Sequence, residues 1–371
     1  MAGGRTTRDD KAITRAVERW FVAAARALPW RTAGRRDPYH ALVSEAMLQQ
    51  TQVSRVVERF GAFIERFPTI ESLASAHEDE VLALWSGLGY YRRARNLHAA
   101  AKAVMEEHGG VMPRTAEGLR RLPGVGRYTA GAIASIVHGE RTPIVDGNVA
   151  RVLLRLENRT GRAGDPAERS TQNWVWERAG RLVEACESPS LLNEGLMELG
   201  ATVCTPRSPL CGGCPLARLC GAKKAGTQER IPAAKAASRT RAVYCASVVV
   251  ERGGKVLVEQ RIAATAGARA TGGMWGGLWQ APTLERADHP PTAAEVAAFI
   301  GASAGRVELM ESFVHKTTHR TVHFDVWTAS LGRSRPRRGQ WMTRGEVAGL
   351  GLASPQRRIL LGTRREGPRL F

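Results

Sequence analysis

From about residue 10 to residue 200, apolar residues recur every three or four positions. In VSRVVERFGAFIERF, Val53, Val56, Val57, Phe60, Phe63, Ile64 and Phe67 form one stripe with a 3.6-residue period, which predicts an amphipathic helix. Thr51 stands where its N-cap is expected. Stripes of the same kind run through EDEVLALW, ARNLHAAAKAVMEEH, AEGLRRL, RYTAGAIASIVHG, NVARVLLRL and ERSTQNWVWERAGRLVEAC, with short Gly/Pro breaks between them. No strong strand pattern occurs before residue 204, so this part is read as mostly α.

After Cys220 the pattern changes. GAKKAGTQERIPAAKAASRTRAV is poor in apolar residues and reads as an exposed linker. Beyond it, YCASVVVERGGKVLVEQR, RVELMESFVHK and TVHFDVWTAS read as strands, with Gly253-Gly254 marking a hairpin, and AAEVAAFIG reads as a helix. Residues 242–371 therefore form an α+β part. The 371 residues suffice for two or three domains. No run approaches the ~18 apolar residues needed to span a bilayer.

Charge adds a partner class. Lys+Arg total 54 against 35 Asp+Glu, a net charge of +19. So large a surplus points to a polyanion, most simply nucleic acid; an arginine-rich solvated surface is the plainer reading. The N-terminus, MAGGRTTRDDKAITRAVERW, is charged and lacks an apolar core, so a cytoplasmic protein is expected, nucleoid-associated when bound to DNA.

Four of the six cysteines, Cys204, Cys211, Cys214 and Cys220, fall within seventeen residues. In a reducing compartment such a cluster binds metal rather than forming disulfides. Structural zinc prefers two close pairs of ligands, whereas four thiolates on one short loop suit an iron–sulfur cube. On spacing alone both ligand classes stay open. Cys186 and Cys245 read as small apolar residues.

Two further stretches carry chemistry. In LRRLPGVGRYTAGAI a helix is expected to end at Leu122, Pro123 to Gly126 make a tight turn, and a second helix starts near Arg127. Gly124 and Gly126 let backbone amides approach a phosphate beside a helix N-terminus; the plainer reading is a simple helix–helix turn. In PIVDGNVARVL, Asp146 precedes a helix, either as an N-cap or as a carboxylate held ionised beside a sugar.

The order LPWR, SEAMLQQTQV, WSGLGYYRRARNL, LPGVGRYTAGAI, PIVDGNV, NEGLMELGATVC and the four-cysteine loop resembles the MutY-type adenine DNA glycosylases of the endonuclease III superfamily. The resemblance runs from residue 12 to 225 without a gap, and GGMWGGLWQAP extends it past the linker. It implies an all-α helix-hairpin-helix glycosylase domain over residues 10–225 with a [4Fe–4S] loop. A linker at 226–241 and an α+β Nudix-like lesion-recognition domain at 242–371 would follow. The implied partner is double-stranded DNA carrying adenine opposite 8-oxoguanine or guanine, bound by a monomer.

The resemblance also implies roles. Glu45 is the general acid that protonates adenine N7, and Asp146 stabilises the oxocarbenium-like sugar, supported by Asn148. Tyr128 sits near the reacting centre. Trp30, Arg31 and Glu194 line the adenine pocket, Gln50 wedges into the duplex, and Tyr90 intercalates beside the orphaned base. Leu122, Gly124 and Gly126 form the hairpin that grips DNA. Relatives that also nick the strand carry Lys where this chain has Tyr128, and Lys102 is the only lysine between residues 12 and 200, so a monofunctional hydrolase is expected. The C-terminal stretch lacks the Glu-rich Nudix helix, and pyrophosphate hydrolysis is not expected. The family's lesion-reading F-S-H is Thr317-Thr318-His319 here, which keeps polar Thr318 and His319 and loses the aromatic wedge.

Overall fold

The computed structural model describes residues 8–31, 36–233, 240–262, 274–302, 306–331, 336 and 338–362. Packing divides the chain into two units, residues 1–75 with 96–236, and residues 76–95 with 237–371.

The described residues of the first unit hold no strand, matching the period-3.6 pattern. Its helices are α1 (Arg8–Ala24), α2 (Pro38–Leu48), α3 (Val53–Arg66), α4 (Ile70–Ala74), α7 (Ala116–Leu119), α8 (Arg127–His138), α9 (Gly147–Leu156), α10 (Arg169–Ala185), α11 (Pro189–Thr202) and α12 (Gly221–Ala225). Helix α11 lies at the centre, packed on α1, α8 and α9. Its Leu192, Leu196 and Leu199 join Val17, Val149, Leu153, Val175 and Leu182 in one buried core. Gly195 and Gly200 permit this closeness, since a Cβ at Gly195 would strike Val17 at 2.6 Å and one at Gly200 would strike Asn148 at 2.6 Å.

Two boundaries differ from the sequence reading. Helix α3 is capped by the Gln52 backbone, not by Thr51, whose hydroxyl turns back to the Gln49 carbonyl (3.4 Å). Helix α7 ends at Leu119 rather than Leu122. There Arg121 N–H bonds Gly118 O and Leu122 N–H bonds Leu119 O, and these i→i+3 bonds tighten the chain into the turn before α8.

In the second unit, β1 (Arg241–Val249) runs parallel to β7 (Arg320–Ala329) in a sheet ordered β5-β1-β7-β6, with β5 (Thr283–Arg286) and β6 (Val307–Lys316) antiparallel to their neighbours. A second sheet joins β2 (Glu251–Arg252), β3 (Lys255–Gln260), β4 (Trp279–Gln280) and β8 (Gln340–Thr343). Gly253 and Gly254 adopt φ of 56° and 76° and turn β2 into β3, as expected of a Gly-Gly hairpin. Alternation along β1 sends Cys245 into a core with α14 (Arg344–Ala348) and α15 (Ser354–Leu361), and Ala246 into another with α13 (Ala293–Ile300).

The segment 76–95, with α5 (Glu78–Leu84), belongs to this unit. Tyr91 Oη donates to Leu352 O (2.6 Å), Trp279 Nε1 to Asp79 Oδ1 (3.2 Å) and Arg95 Nη1 to Gly276 O (2.9 Å). Helix α6 (Arg92–His108) opens here and continues into the first unit. The linker residues 234–239, Gly272 and Gly273 of GGMWGGLWQAP, and residues 363–371 lie outside the described residues. Among the described residues no helix is long and apolar enough to cross a membrane.

Candidate active site

Helix α2 begins cleanly. Asp37 Oδ1 accepts the N–H of Tyr39 (2.7 Å) and His40 (3.1 Å), and Pro38 fills the first helical position, where no amide partner is needed. Leu42, Val43, Ala46 and Met47 are buried, which fixes the helix rotation and turns Glu45 to the wall of a cavity of about 210 Å³. Trp30, Arg31, Tyr128, Asp146, Asn148 and Glu194 line the same cavity. Seven residues scattered from position 30 to 194 thus meet in one place, all within the first unit.

Burial pushes the Glu45 carboxyl up to about 7. A hydrogen bond from Tyr128 opposes the rise, the Asp146 and Glu194 charges add to it, and Arg31 counters it. The side chain keeps access to the cavity, but surrounding protein excludes bulk water, and this exclusion governs its proton. Tyr128 Oη also lies 3.0 Å from Met197 Sδ, and burial raises its own pKa well above the ordinary phenol value.

Asp146 fills the N-cap position read from the sequence and also lines the cavity. It caps α9, accepting Val149 N–H at Oδ1 (2.7 Å), and its Oδ2 accepts Asn148 Nδ2 (2.9 Å). Burial raises its pKa, while these bonds and the charge of Arg151 hold the rise back. Arg151 donates to Asn148 Oδ1 (2.9 Å), Gly200 O (2.8 Å) and Cys204 O (2.7 Å), so one buried guanidinium ties the residues around Asp146 to the start of the cysteine loop.

The pocket wall is richer in charge than the sequence suggested. Glu194 Oε1 accepts from Arg31 Nε (3.1 Å) and Arg36 Nη1 (2.8 Å). Glu198, one turn further along α11, binds Arg26 and Arg31. Arg26, Arg36, Arg151, Met197 and Glu198 were not found from the sequence. The one available signal was the Glu194–Glu198 spacing, which puts two carboxylates on one face of a helix.

The other named residues are not among those that line the cavity. Gln50 is exposed with a left-handed φ of 55°, and Tyr90, in the second unit, is 45% exposed with φ of 46°. Non-glycine residues held this way concentrate at functional sites. Leu122 is buried, and its carbonyl accepts Val125 N–H (3.1 Å). Gly124 has φ of 72° and lies against Asn96, whereas Gly126 N-caps α8 with open space where a side chain would stand. At the β6–β7 turn, Thr317 N–H bonds Arg320 O (2.8 Å) and Thr317 Oγ1 accepts Arg320 N–H (3.0 Å). Thr318 and His319 are exposed at its tip, and the Thr318 hydroxyl hydrogen-bonds the Tyr90 hydroxyl. In α13 the one acidic residue, Glu295, completes a capping box with Thr292.

The four loop cysteines are free thiols, each partly buried. Burial first, and the neighbouring thiols after it, raise Cys214 to about 11. Such crowded thiols ionise together only beside compensating positive charge, which a bound metal centre provides. Arg155, 2% exposed, sends Nη1 to Cys204 Sγ (3.3 Å) and to Thr205 O (2.7 Å), and Nη2 to Pro206 O (3.0 Å), which fixes the loop's first turn. Among the described residues no three Cys, His, Asp or Glu side chains form a metal-binding group by themselves. The fit to an iron–sulfur centre therefore rests on the donor set, its crowding and the family match below.

Three family models match the chain. Residues 43–178 match the HhH-GPD superfamily of base excision DNA repair proteins, residues 204–220 the iron-sulfur binding domain of endonuclease III, and residues 245–362 the NUDIX domain. The adenine DNA glycosylase of Mus musculus is 34% identical over 400 residues, covering 92% of this chain and 75% of the relative. That of Homo sapiens is 48% identical over 219 residues, covering 57% of this chain; the matched part spans only 39% of the human relative. A solved thermostable thymine-DNA glycosylase is 28% identical and superposes with a TM-score of 0.52 over 60% of this chain and all of its own.

Proposed function

This chain belongs to the adenine DNA glycosylase family, and from that premise we propose that it flips adenine out of a mispair with 8-oxoguanine or guanine and hydrolyses its glycosidic bond. The observation that carries this reading is Glu45 at about 7 in the same cavity as Asp146. Glu45 donates its proton to adenine N7, and the C1′–N9 electron pair leaves with a neutral base. The sugar becomes oxocarbenium-like, and the Asp146 carboxylate stabilises it, directs water to C1′ and takes the proton that water loses as the C1′–O bond forms, with Asn148 holding the carboxylate. Opposed protonation states on two carboxylates are the general logic of glycoside hydrolysis. Tyr128 supplies no amine, so the reaction ends at the abasic site.

Arg31, Glu194 and Trp30 surround the base. Trp30 is braced edge-on by Phe60 at 5.6 Å. Gln50 enters the duplex, and the amides at the start of α8, behind Gly124 and Gly126, grip a phosphate without reading sequence. Tyr90, Thr318 and His319 contact the opposite base. The iron–sulfur domain of residues 204–220 holds a [4Fe–4S] cluster through Cys204, Cys211, Cys214 and Cys220, and when bound the cluster supplies the positive charge that keeps four thiolates together.

Glu45→Gln and Asp146→Asn should each slow single-turnover adenine release by at least ~10²-fold, with duplex affinity nearly unchanged. Near-wild-type release by either variant overturns the assignment. Borohydride should trap no covalent DNA complex above background, and a strong trapped band refutes the monofunctional reading.

A further inference from the structure

The segment between α1 and α2 carries Leu28, Trp30 and Arg31 into the cavity, yet residues 25–31 have no regular secondary structure. Something rigid must hold it. Glu198 projects from α11, the helix locked at the centre of the first unit, and its side chain is 1% exposed. Its Oε1 accepts Arg26 Nε (2.5 Å) and the Arg26 backbone N–H (3.3 Å), and its Oε2 accepts Arg26 Nη2 (3.0 Å) and Arg31 Nη2 (3.0 Å). One carboxylate thus binds the segment at both ends, through backbone at residue 26 and guanidinium at residue 31.

The Arg31 guanidinium is held at all three nitrogens. Nε goes to Glu194, Nη2 to Glu198, and Nη1 to Arg26 O (3.3 Å). Three of its five N–H bonds are directed to protein acceptors, and the plane of the group is set by three separate partners. Its other face lies over the Phe21 ring, 5.2 Å from the centroid. Burial alone raises Glu198, but the guanidinium groups of Arg26 and Arg31 outweigh this and hold it below the ordinary carboxylate range.

We propose that Glu198 is a positioning residue for adenine excision, anchoring the Arg26–Arg31 segment so that Arg31 and Trp30 meet the flipped base in fixed geometry. The role rests on the glycosylase reading above, because it concerns the same pocket. Glu198 touches no reacting atom and acts through Arg31. A misplacement of reacting groups by ~1 Å costs on the order of 10²-fold in rate, whereas duplex affinity comes mainly from phosphate contacts elsewhere.

The test is a double-mutant cycle on the full chain, with Glu198→Gln, Arg31→Met and the pair, reading single-turnover adenine release, duplex Kd and Tm. Glu198→Gln should slow release about 10²-fold with Kd within a few-fold of wild type. The pair should be no slower than the slower single variant, because Glu198 has nothing to position once Arg31 is gone. A residue that only stabilises the fold would lower Tm and leave the rate well below Tm unchanged, or its effect would multiply with that of Arg31→Met; either result overturns the role. If Glu198→Gln does not fold, Glu198→Asp keeps the charge and withdraws it by one methylene, and the same cycle applies. Wild-type protein that leaves adenine in place sinks the glycosylase reading itself, whereas wild-type release with an unaffected Glu198 variant overturns only the positioning role.

Discussion

At the scale of single residues, the decisive quantity is the proton on Glu45. Its carboxyl is raised to about 7 chiefly by burial. If it must be protonated to act, excision should fall about tenfold per pH unit above that value, while a rate that is flat from pH 7 to 9 would contradict the role. The same shift has a stability consequence. The folded protein holds this proton when the unfolded chain, titrating near 4.5, has already lost it. Stability contributed by Glu45 is therefore complete below the unfolded value and declines as pH rises through about 7. Glu45→Gln removes that decline. Its Tm should exceed wild type at pH 8 and match it near pH 4.5, a difference thermal melts at the two pH values will show. The sequence named Glu45, Asp146 and Asn148 because short motifs surround them. It missed Glu198 and Arg26, whose importance lies in an ion-pair pattern between α11 and the segment after α1, far apart in the chain. Nor did it show the opposing influences on Asp146, where burial raises the carboxyl and hydrogen bonds to Val149 and Asn148 hold the rise back.

At the scale of elements, the turn before α8 separates two glycines with different duties. Gly124 has φ of 72°, and its missing side chain leaves room for Asn96. Gly124→Ala should therefore destabilise the fold by ~1–3 kcal/mol. Gly126 has φ of −83° and open space around its Cβ position. Gly126→Ala should leave Tm unchanged and weaken duplex binding, because the added methyl stands where a phosphate would approach the α8 amides. A Gly126→Ala protein that binds as wild type would remove the hairpin from the DNA interface. The periodic helices and the Gly253-Gly254 hairpin were legible in the sequence because a single physical signal dominates each. The end of α7 and the cap of α3 were not, because i→i+3 bonds and a backbone cap left no mark in residue type. The β6–β7 turn adds a finding of the same kind. Thr317 closes this turn through its own hydroxyl, and the turn presents Thr318 and His319.

At the scale of the whole molecule, charge and metal content give the measurable consequences. A net charge of +19 predicts duplex binding that weakens steeply with salt, as phosphate contacts require. Purified protein should be brown and carry about four irons and negligible zinc, given the four-thiolate loop; one zinc and no iron would refute the cluster. Composition and texture revealed two parts with a break after the cysteines. They gave no hint that residues 76–95 pack with the C-terminal part, since that depends on Tyr91, Asp79 and Arg95 reaching partners far along the chain. The central claim is adenine removal set by the opposite base, and the similarity to a thymine-DNA glycosylase structure makes base identity the sharpest question. The most direct measurement is single-turnover base release from adenine opposite 8-oxoguanine, guanine, cytosine and thymine, with thymine opposite guanine alongside. Adenine should leave opposite 8-oxoguanine and guanine, far more slowly opposite cytosine and thymine, and thymine should stay. Release of thymine, or adenine release indifferent to its partner, would contradict the account.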